Sequence, residues 1–456
     1  MQYGFVLDQT ACIGCHACTV ACKAENDVVL GSFRTWVKWV EHGEFPTIQK
    51  SAAVLRCNHC ADAPCIEICP TIALYKRADG IVDLDRDRCI GCASCIQACP
   101  YDAIHLDDRT GTAAKCHFCA HRVEVGLAPA CVAVCPEQAI KVIDLDDSSV
   151  RTELGQLGAT TRKPERGTRP QTYYLGADPL ALDPLAVDGT RTLSHSEVPD
   201  PLPAPGTAEA RAVYDIPRQR PWGNRITAYM VTKALASGSL VAAALSPWFP
   251  MIDGRLLGWL SFVLVVVTTV LLIADLHKPS RFFYVLIKPN TRSWLVRGGW
   301  ILTAHTLVSL AYGLGIMGPA WTFPVILLAV MTSVYTAFLF RQARGRELWC
   351  EDRFLPWVLA AQTFASAAVC GWFFGLRGTL IVTPMAAYAL LVIVSLLTAP
   401  PTPQARAAHR LMKSHWTSWS GVATAIVALF VPPLVLIAFS FLDWVMVDAG
   451  QKVPLS

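Results

Sequence analysis

Sixteen of the chain's 18 cysteines lie before residue 136, arranged in four quartets. The first is Cys12, Cys15, Cys18 and Cys22, and the second is Cys57, Cys60, Cys65 and Cys69. The third is Cys89, Cys92, Cys95 and Cys99, and the fourth is Cys116, Cys119, Cys131 and Cys135. Pro70, Pro100 and Pro136 follow the last cysteine of the second, third and fourth quartets. An internal repeat of this kind constrains a fold more than composition does. Soft thiolates at such spacing select iron–sulfur clusters or zinc over hard cations. A disulfide framework suits small secreted domains instead. Met1 to Leu7 leads into Cys12 without a basic n-region, twin arginine or apolar h-region, so the thiols are expected to stay reduced in the cytoplasm.

The first and third quartets have the spacing C-x2-C-x2-C-x3-C, which is the bacterial ferredoxin run. In that run three thiolates hold one cubane and the fourth ligates its neighbour. A tight loop lets the close thiolates converge on one cluster face. The fourth cysteine is expected to open a helix that points away, and a proline after it suits a first helical turn. A lone C-x2-C pair would favour structural zinc, whereas four complete quartets argue against it. Cys12 to His16 also spells the c-type haem attachment motif C-x-x-C-H. Both cysteines are needed by the first quartet, and the motif does not recur.

Residues 1–147 are identified by these quartets as similar to the four-cluster ferredoxin-like subunits of complex iron–sulfur molybdoenzymes, the dimethyl sulfoxide reductase and polysulfide reductase type. Trp36 to Pro46, with Val40, Glu41, Gly43 and Phe45, resembles the same family's segment after the first motif. The resemblance implies four [4Fe–4S] clusters with cross-paired ligands. One would be held by Cys12, Cys15, Cys18 and Cys135, and its partner by Cys22, Cys116, Cys119 and Cys131. The third would use Cys57, Cys60, Cys65 and Cys99, and the fourth Cys69, Cys89, Cys92 and Cys95. No nucleophile–base pair or nucleotide loop stands out beside them, so the domain is expected to carry electrons rather than to catalyse.

The rest of the chain reads differently. Hydrophobic residues make up 53% of the whole and charged residues 16%, against about 25% charged in soluble proteins. The net charge of +4 comes with no basic block of the nucleic-acid-binding kind. Residues 148–221 are rich in Pro, Gly, Asp and Arg, with Pro199, Pro201, Pro203 and Pro205 alternating, and read as an extended linker over the surface of the first domain. Residues 222–456 hold seven apolar runs near 226–248, 256–275, 299–318, 321–340, 355–375, 379–398 and 419–442, each about the 20 residues that a span needs. Fifteen basic residues fall in the loops on the N-terminal side of the first span and its equivalents, against Arg255, Arg377 and Lys452 on the other side. Cytoplasmic loops collect Lys and Arg. The reading is therefore N-terminus and cluster domain inside, C-terminus outside.

The fold class expected is an α+β tandem ferredoxin-like domain followed by an all-α polytopic membrane bundle of about seven spans. Asp275 to Phe282, Ser293-Trp294 and Gly345 to Trp349 resemble the polysulfide-reductase-type (NrfD-like) membrane anchors. That resemblance implies exchange of electrons with quinone. Better-known members have eight or more spans, and several keep the cluster subunit as a separate periplasmic chain. Polar residues inside a bilayer are costly and often functional. Tyr229, Lys233, Asp275, His277, His305, Tyr335 and Gln362 share one depth on five spans and are the quinone candidates. The bland reading of each is snorkelling, an interfacial belt or ion pairing, for example Asp275 with Arg281. His277 and His305 lean toward the site, while Cys350 and Cys370 read as inert.

The chain thus reads as the electron-transfer and membrane-anchor subunit of a cytoplasm-facing respiratory oxidoreductase. It would link a separate molybdopterin-bearing catalytic subunit to the quinone pool. An anchor relaying electrons to a multihaem cytochrome and a redox-driven ion-translocating module are the alternatives.

Overall fold

The computed structural model describes residues 1–188 and 210–456, so Pro199 to Pro205 lie outside the described residues. Two units result. One is Met1–Arg220 with Ala343–Gly345 and Lys452–Ser456; the other is Pro221–Gln342 with Arg346–Gln451.

The first unit is α+β. Its described strands are β1 (Tyr3–Asp8), β2 (Thr35–His42), β3 (Gln49–Arg56), β4 (Leu74–Lys76), β5 (Val82–Leu84), β6 (Ile104–Asp107) and β7 (Thr112–Lys115). They continue with β8 (Ile140–Asp144), β9 (Thr172–Leu175), β10 (Val187–Asp188) and β11 (Ala210–Tyr214). One sheet has the order β8-β1-β9 and another β10-β11-β2-β3, while β4-β5 and β6-β7 are two-stranded hairpins. Strand β1 buries Phe5 and Leu7 completely, stacking Phe5 on Phe118 at 3.9 Å between ring centroids. Phe5 and Leu7 share one face of the strand and Val6 is buried on the other, so both faces are covered.

Residues 148–188 are not a linker draped over this unit. Strand β9 pairs parallel with β1, Phe5 opposite Thr172, and β11 pairs antiparallel with β2, Ala210 opposite His42. The reason is local. The stretch Thr172-Tyr173-Tyr174-Leu175 is made of strand-forming residues, and Tyr174 is fully buried with its hydroxyl donating to Val54 O at 3.1 Å.

The fourth cysteines also differ from expectation. Cys65, Cys95 and Cys131 lie within the short helices Pro64–Ile68, Ser94–Ala98 and Ala130–Ala133. Cys69 and Cys99 cap the ends of two of them in extended conformation, ψ 117 and 116°. The prolines that follow end helices instead of starting them, because a residue before proline is pushed out of the α region. Cys22 has no proline after it, and its helix runs on to Asn26.

The second unit is all helical in its described residues. Its long helices are α1 (Asn224–Leu245), α2 (Gly254–Ala274), α3 (Trp294–Gly313), α4 (Thr322–Gln342), α5 (Leu355–Phe373) and α6 (Thr379–Leu397). They are followed by α7 (Pro403–Ser414), α8 (Trp416–Val427) and α9 (Val435–Lys452). Helix α1 packs against α2, α4 and α5. Gly238 makes its approach to α5 possible, since a Cβ there would meet Ala367 N at 2.6 Å. Small residues let membrane helices pack this closely. Helix α2 exposes Val263, Val266, Val267 and Val270.

Five segments are long and apolar enough to cross a membrane: Asn224–Trp248, Gly254–Ala274, Pro319–Gln342, Thr379–Leu397 and Pro432–Lys452. The run expected at 419–442 is not one helix. It is split into α8 and α9 by a 3-10 turn at Pro432–Leu434, because two prolines remove consecutive N–H donors. Helices α8 and α9 lie side by side and antiparallel. Trp416 packs on Phe441 and His415 on Trp444, at 5.8 and 5.2 Å between centroids.

The C-terminal residues belong to the first unit. Leu455 N donates to Asp102 Oδ2 at 2.9 Å, and Arg162 Nη2 donates to Leu455 O at 3.2 Å.

Candidate functional site

The sixteen thiols sit on short loops and helix ends. Cys12 and Cys15 lie between β1 and the helix Ala17–Asn26, which carries Cys18 and Cys22. Cys57 and Cys60 follow β3, and Cys116 and Cys119 follow β7. The loops turn through left-handed residues, Gly14 at φ +65° and Gly91 at φ +68° among them. A Cβ on Gly14 would also collide with the Trp39 ring.

Which thiols face one another follows from the charges that act on each. Cys12 faces Cys135 and Cys15, and Cys18 faces Cys12. Cys22 faces Cys131 and Cys119, and Cys116 faces Cys22 and Cys131. Cys65 faces Cys99, Cys57 and Cys60. Cys95 faces Cys92, Cys89 and Cys69. Thiols also act on one another across the sets that the resemblance implies: Cys18 with Cys131, Cys116 with Cys57, and Cys95 with Cys65. Burial pushes the thiols up, Cys18 to about 11 and Cys22, Cys60, Cys92 and Cys99 to about 12, with neighbouring thiolates adding to it. Metals bind the thiolate form, so loading these sites releases protons. Among the described residues no three His, Cys, Asp or Glu side chains converge on a single-ion site. A cubane carries its ligands on four separate irons, farther apart than the ligands of one ion.

The surroundings of the thiols fit an anionic group. Arg56 is 0% exposed, and among the described residues its hydrogen bonds run from Nη1 to Cys131 Sγ at 3.4 Å and from Nη2 to Thr35 Oγ1 at 3.2 Å. Its Nε has no partner there, and no described carboxylate pairs with it. Arg34, also buried, faces Cys22, Cys116 and Cys119 and leaves Nε unpartnered. An uncompensated buried cation costs several kcal/mol. A thiolate-ligated cluster with net negative charge would supply the missing counter-charge.

The helical unit holds a second buried polar group. Lys233 on α1 is 1% exposed, hydrogen-bonds Thr336 Oγ1 on α4, and lies over the rings of Tyr335 and Tyr229, 4.6 and 5.3 Å from their centroids. Gln362 Nε2 on α5 donates to Asp443 Oδ1 on α9 at 2.9 Å. Asp443 is the charge that acts on Lys233, and its Oδ2 has no partner among the described residues. The Tyr388 hydroxyl, buried on α6, faces Gln362 and Asp443. Four of the sequence candidates, Tyr229, Lys233, Tyr335 and Gln362, are thus brought together. Asp443 and Tyr388 escape the sequence reading, because the last apolar run ends one residue before Asp443.

The other three candidates lie elsewhere. His305 is fully buried, with Nε2 and Nδ1 each 3.0 Å from a hydroxyl, of Ser261 and Thr332. Asp275 caps the end of α2 and faces Arg225 and His277, and His277 is partly exposed. Cys370 is buried against Ser239 Oγ at 3.5 Å, and Cys350 lies 3.4 Å from Arg341 O.

Residues 51–145 match the model of the 4Fe-4S dicluster domain family. Thiosulfate reductase electron transfer subunit PhsB of Salmonella typhi is 44% identical over 34% of this chain and 82% of its own length. The chain belongs to this family of iron–sulfur electron-transfer subunits. Arsenate respiratory reductase iron-sulfur subunit ArrB of Shewanella sp. (strain ANA-3) is 34% identical over 38% of this chain and 96% of its own length. Protein NrfC of Escherichia coli (strain K12) is 40% identical over 38% of this chain and 80% of its own length. These matches cover the iron–sulfur unit, and the helical unit fits a membrane anchor.

Proposed function

We propose that this chain is the electron-transfer and membrane-anchor subunit of a respiratory oxidoreductase. It passes electrons between a separate catalytic subunit and the quinone pool. The observation that carries this reading is the gathering of sixteen thiols in the first unit of a chain that also holds a bundle of apolar helices.

Each group holds one [4Fe–4S] cluster: Cys12, Cys15, Cys18 and Cys135; Cys22, Cys116, Cys119 and Cys131; Cys57, Cys60, Cys65 and Cys99; Cys69, Cys89, Cys92 and Cys95. Bound clusters supply one-electron carriage, with potentials set by charge and hydrogen bonds at sulfur. The protein contributes the thiols, a dry interior and nearby cations. Cys15 is exposed while the thiols of the other groups are mostly buried, so the first group is the entry for an outside partner. By the family resemblance that partner carries molybdopterin.

The last apolar run is a hairpin of α8 and α9 broken at Pro432, and an even number of crossings would agree with the contact of Leu455 with Asp102. Lys452 then joins the basic side, leaving Arg255 and Arg377 alone on the other. That strengthens a cytoplasmic placement of the iron–sulfur unit. The quinone site is built on Lys233, Asp443, Gln362, Tyr388, Tyr229 and Tyr335. Its buried oxygens can donate to or accept from a quinone head group. His305 supports it from a satisfied hydroxyl network, and Asp275 and His277 lie at the interface as a proton entry.

The test is purification from native membranes with metal analysis and mass spectrometry. A large co-purifying subunit with molybdenum or tungsten is expected. Haem-rich partners, or iron with neither partner nor such a metal, would overturn the assignment of the catalytic partner.

A further inference from the structure

We propose that Arg56 sets the potential of the cluster held by Cys22, Cys116, Cys119 and Cys131 and makes it the most easily reduced of the four. This rests on the cluster assignment above. The guanidinium is fully buried, donates to Cys131 Sγ at 3.4 Å and has no carboxylate partner among the described residues. It is fixed from three sides: by Thr35 Oγ1, by the Phe5 ring 4.4 Å from its Cζ, and by its place at the end of β3, one residue before Cys57. It cannot swing away to solvent.

Reducing a cluster adds one electron and makes or breaks no bond. The reduced form is more negative by one charge, so a fixed neighbouring cation favours it. In a buried site that attraction is screened far less by water and salt than at a surface. The same group has two further donors of this kind. The Asn26 amide points at Cys22 Sγ and Cys119 Sγ, 3.7 and 3.8 Å away, and Arg34 faces three of its four thiols.

The other groups have weaker cationic support: Arg56 also acts on Cys18 of the first group, and Lys115 acts on Cys65 of the third, neither through a described hydrogen bond to those thiols. Cys12 of the first group faces the Asp8 carboxylate. Cys89 of the fourth group accepts from a neutral backbone donor, Ala113 N at 3.4 Å. The strongest charges on Cys95 are other thiols. The second station in the line is therefore an electron sink between a first and a third station of lower potential. The electron arriving from the first group is held there until the third accepts it.

The experiment is an electron-paramagnetic-resonance redox titration of the full-length protein, with iron measured on each sample. The variants are Arg56→Gln, Arg56→Lys and Asn26→Leu, with Arg169→Gln as a surface control. Losing the buried cation should make the reduction constant about tenfold smaller, which is ~59 mV for one electron. In the parent protein the signal reduced first should be the one that Arg56→Gln and Asn26→Leu both move downward. Arg56→Lys should restore most of the shift; the signal of the first group, whose Cys18 Arg56 also faces, should move less, and the other two signals and Arg169→Gln should stay in place. If Arg56→Gln loses iron, Arg56→Lys and Asn26→Leu decide the matter. Full iron with unmoved potentials, or an equal shift of all four signals, would overturn the inference. Fewer than four signals in the parent protein would instead overturn the cluster assignment.

Discussion

Leu455 donates its backbone N–H to Asp102 Oδ2 at 2.9 Å, and the same oxygen accepts from Arg218 Nε at 3.0 Å. The last residues of the chain are thereby tied to the turn before β6. Arg218 also pairs with Asp215 Oδ2 at 2.5 Å and donates to Ser456 O at 2.7 Å. These groups lie in the partly buried interior of the first unit, where a broken pair leaves an uncompensated charge.

A reporter fused after Ser456 should be active on the same side of the membrane as one fused before Met1. Activity on opposite sides would contradict the contact with Asp102. Replacing Asp102 by Ala should weaken this anchor by about 1–3 kcal/mol, read as faster proteolysis of the C-terminal residues with cluster content unchanged.

Asp443 and Lys233 should matter more to quinone chemistry than His305. Asp443→Asn and Lys233→Met are expected to lower quinone-linked turnover by about 10²-fold or more, the range for a lost acid–base group. Chemical reduction of the clusters should be unaffected. His305→Gln, which keeps hydrogen-bonding capacity toward Ser261 and Thr332, should lower turnover by much less. Equal loss in all three variants would place His305 in the site itself.

Lys38 on β2 is 1% exposed, and burial lowers its pKa from 10.5 to about 8. Asp215 and Asp183 favour its charge, while Arg218 and Arg162 oppose it. The unfolded chain therefore binds a proton between about pH 8 and 10.5 that the folded one does not. Stability from this residue should rise with pH across that window and be lost as pH falls through it, by ~3 kcal/mol in all. Lys38→Met should flatten the rise, measured as the denaturant midpoint of cluster bleaching at several pH values. An unchanged slope would show that Lys38 is not the titrating group.

Gly14 turns the first cysteine loop at φ +65°, where only glycine is free of strain, and its missing side chain makes room for Trp39. Gly14→Ala should abolish one cluster signal and leave three. Retention of all four would show that the loop can relax around the added methyl group.

The four cysteine quartets were legible in the sequence because ligand spacing is local, whereas the pairing between quartets is not and came only from the family resemblance. Strand β9 was less legible. Four residues inside a Pro- and Gly-rich stretch carry too little pattern, and their partner β1 is more than 160 residues away. Hydropathy alone does not see the break at Pro432 and Pro433, because the flanking residues are all apolar. That one break hides Asp443. His305 shows the opposite limit: a lone buried histidine is conspicuous, but its hydroxyl partners come from other helices.

Iron and acid-labile sulfide per chain test the central claim most directly. Four cubanes require about sixteen of each, and freshly purified protein should contain that amount with negligible zinc. A value near twelve, or zinc in place of iron at any quartet, would contradict the assignment of all sixteen cysteines to four [4Fe–4S] clusters.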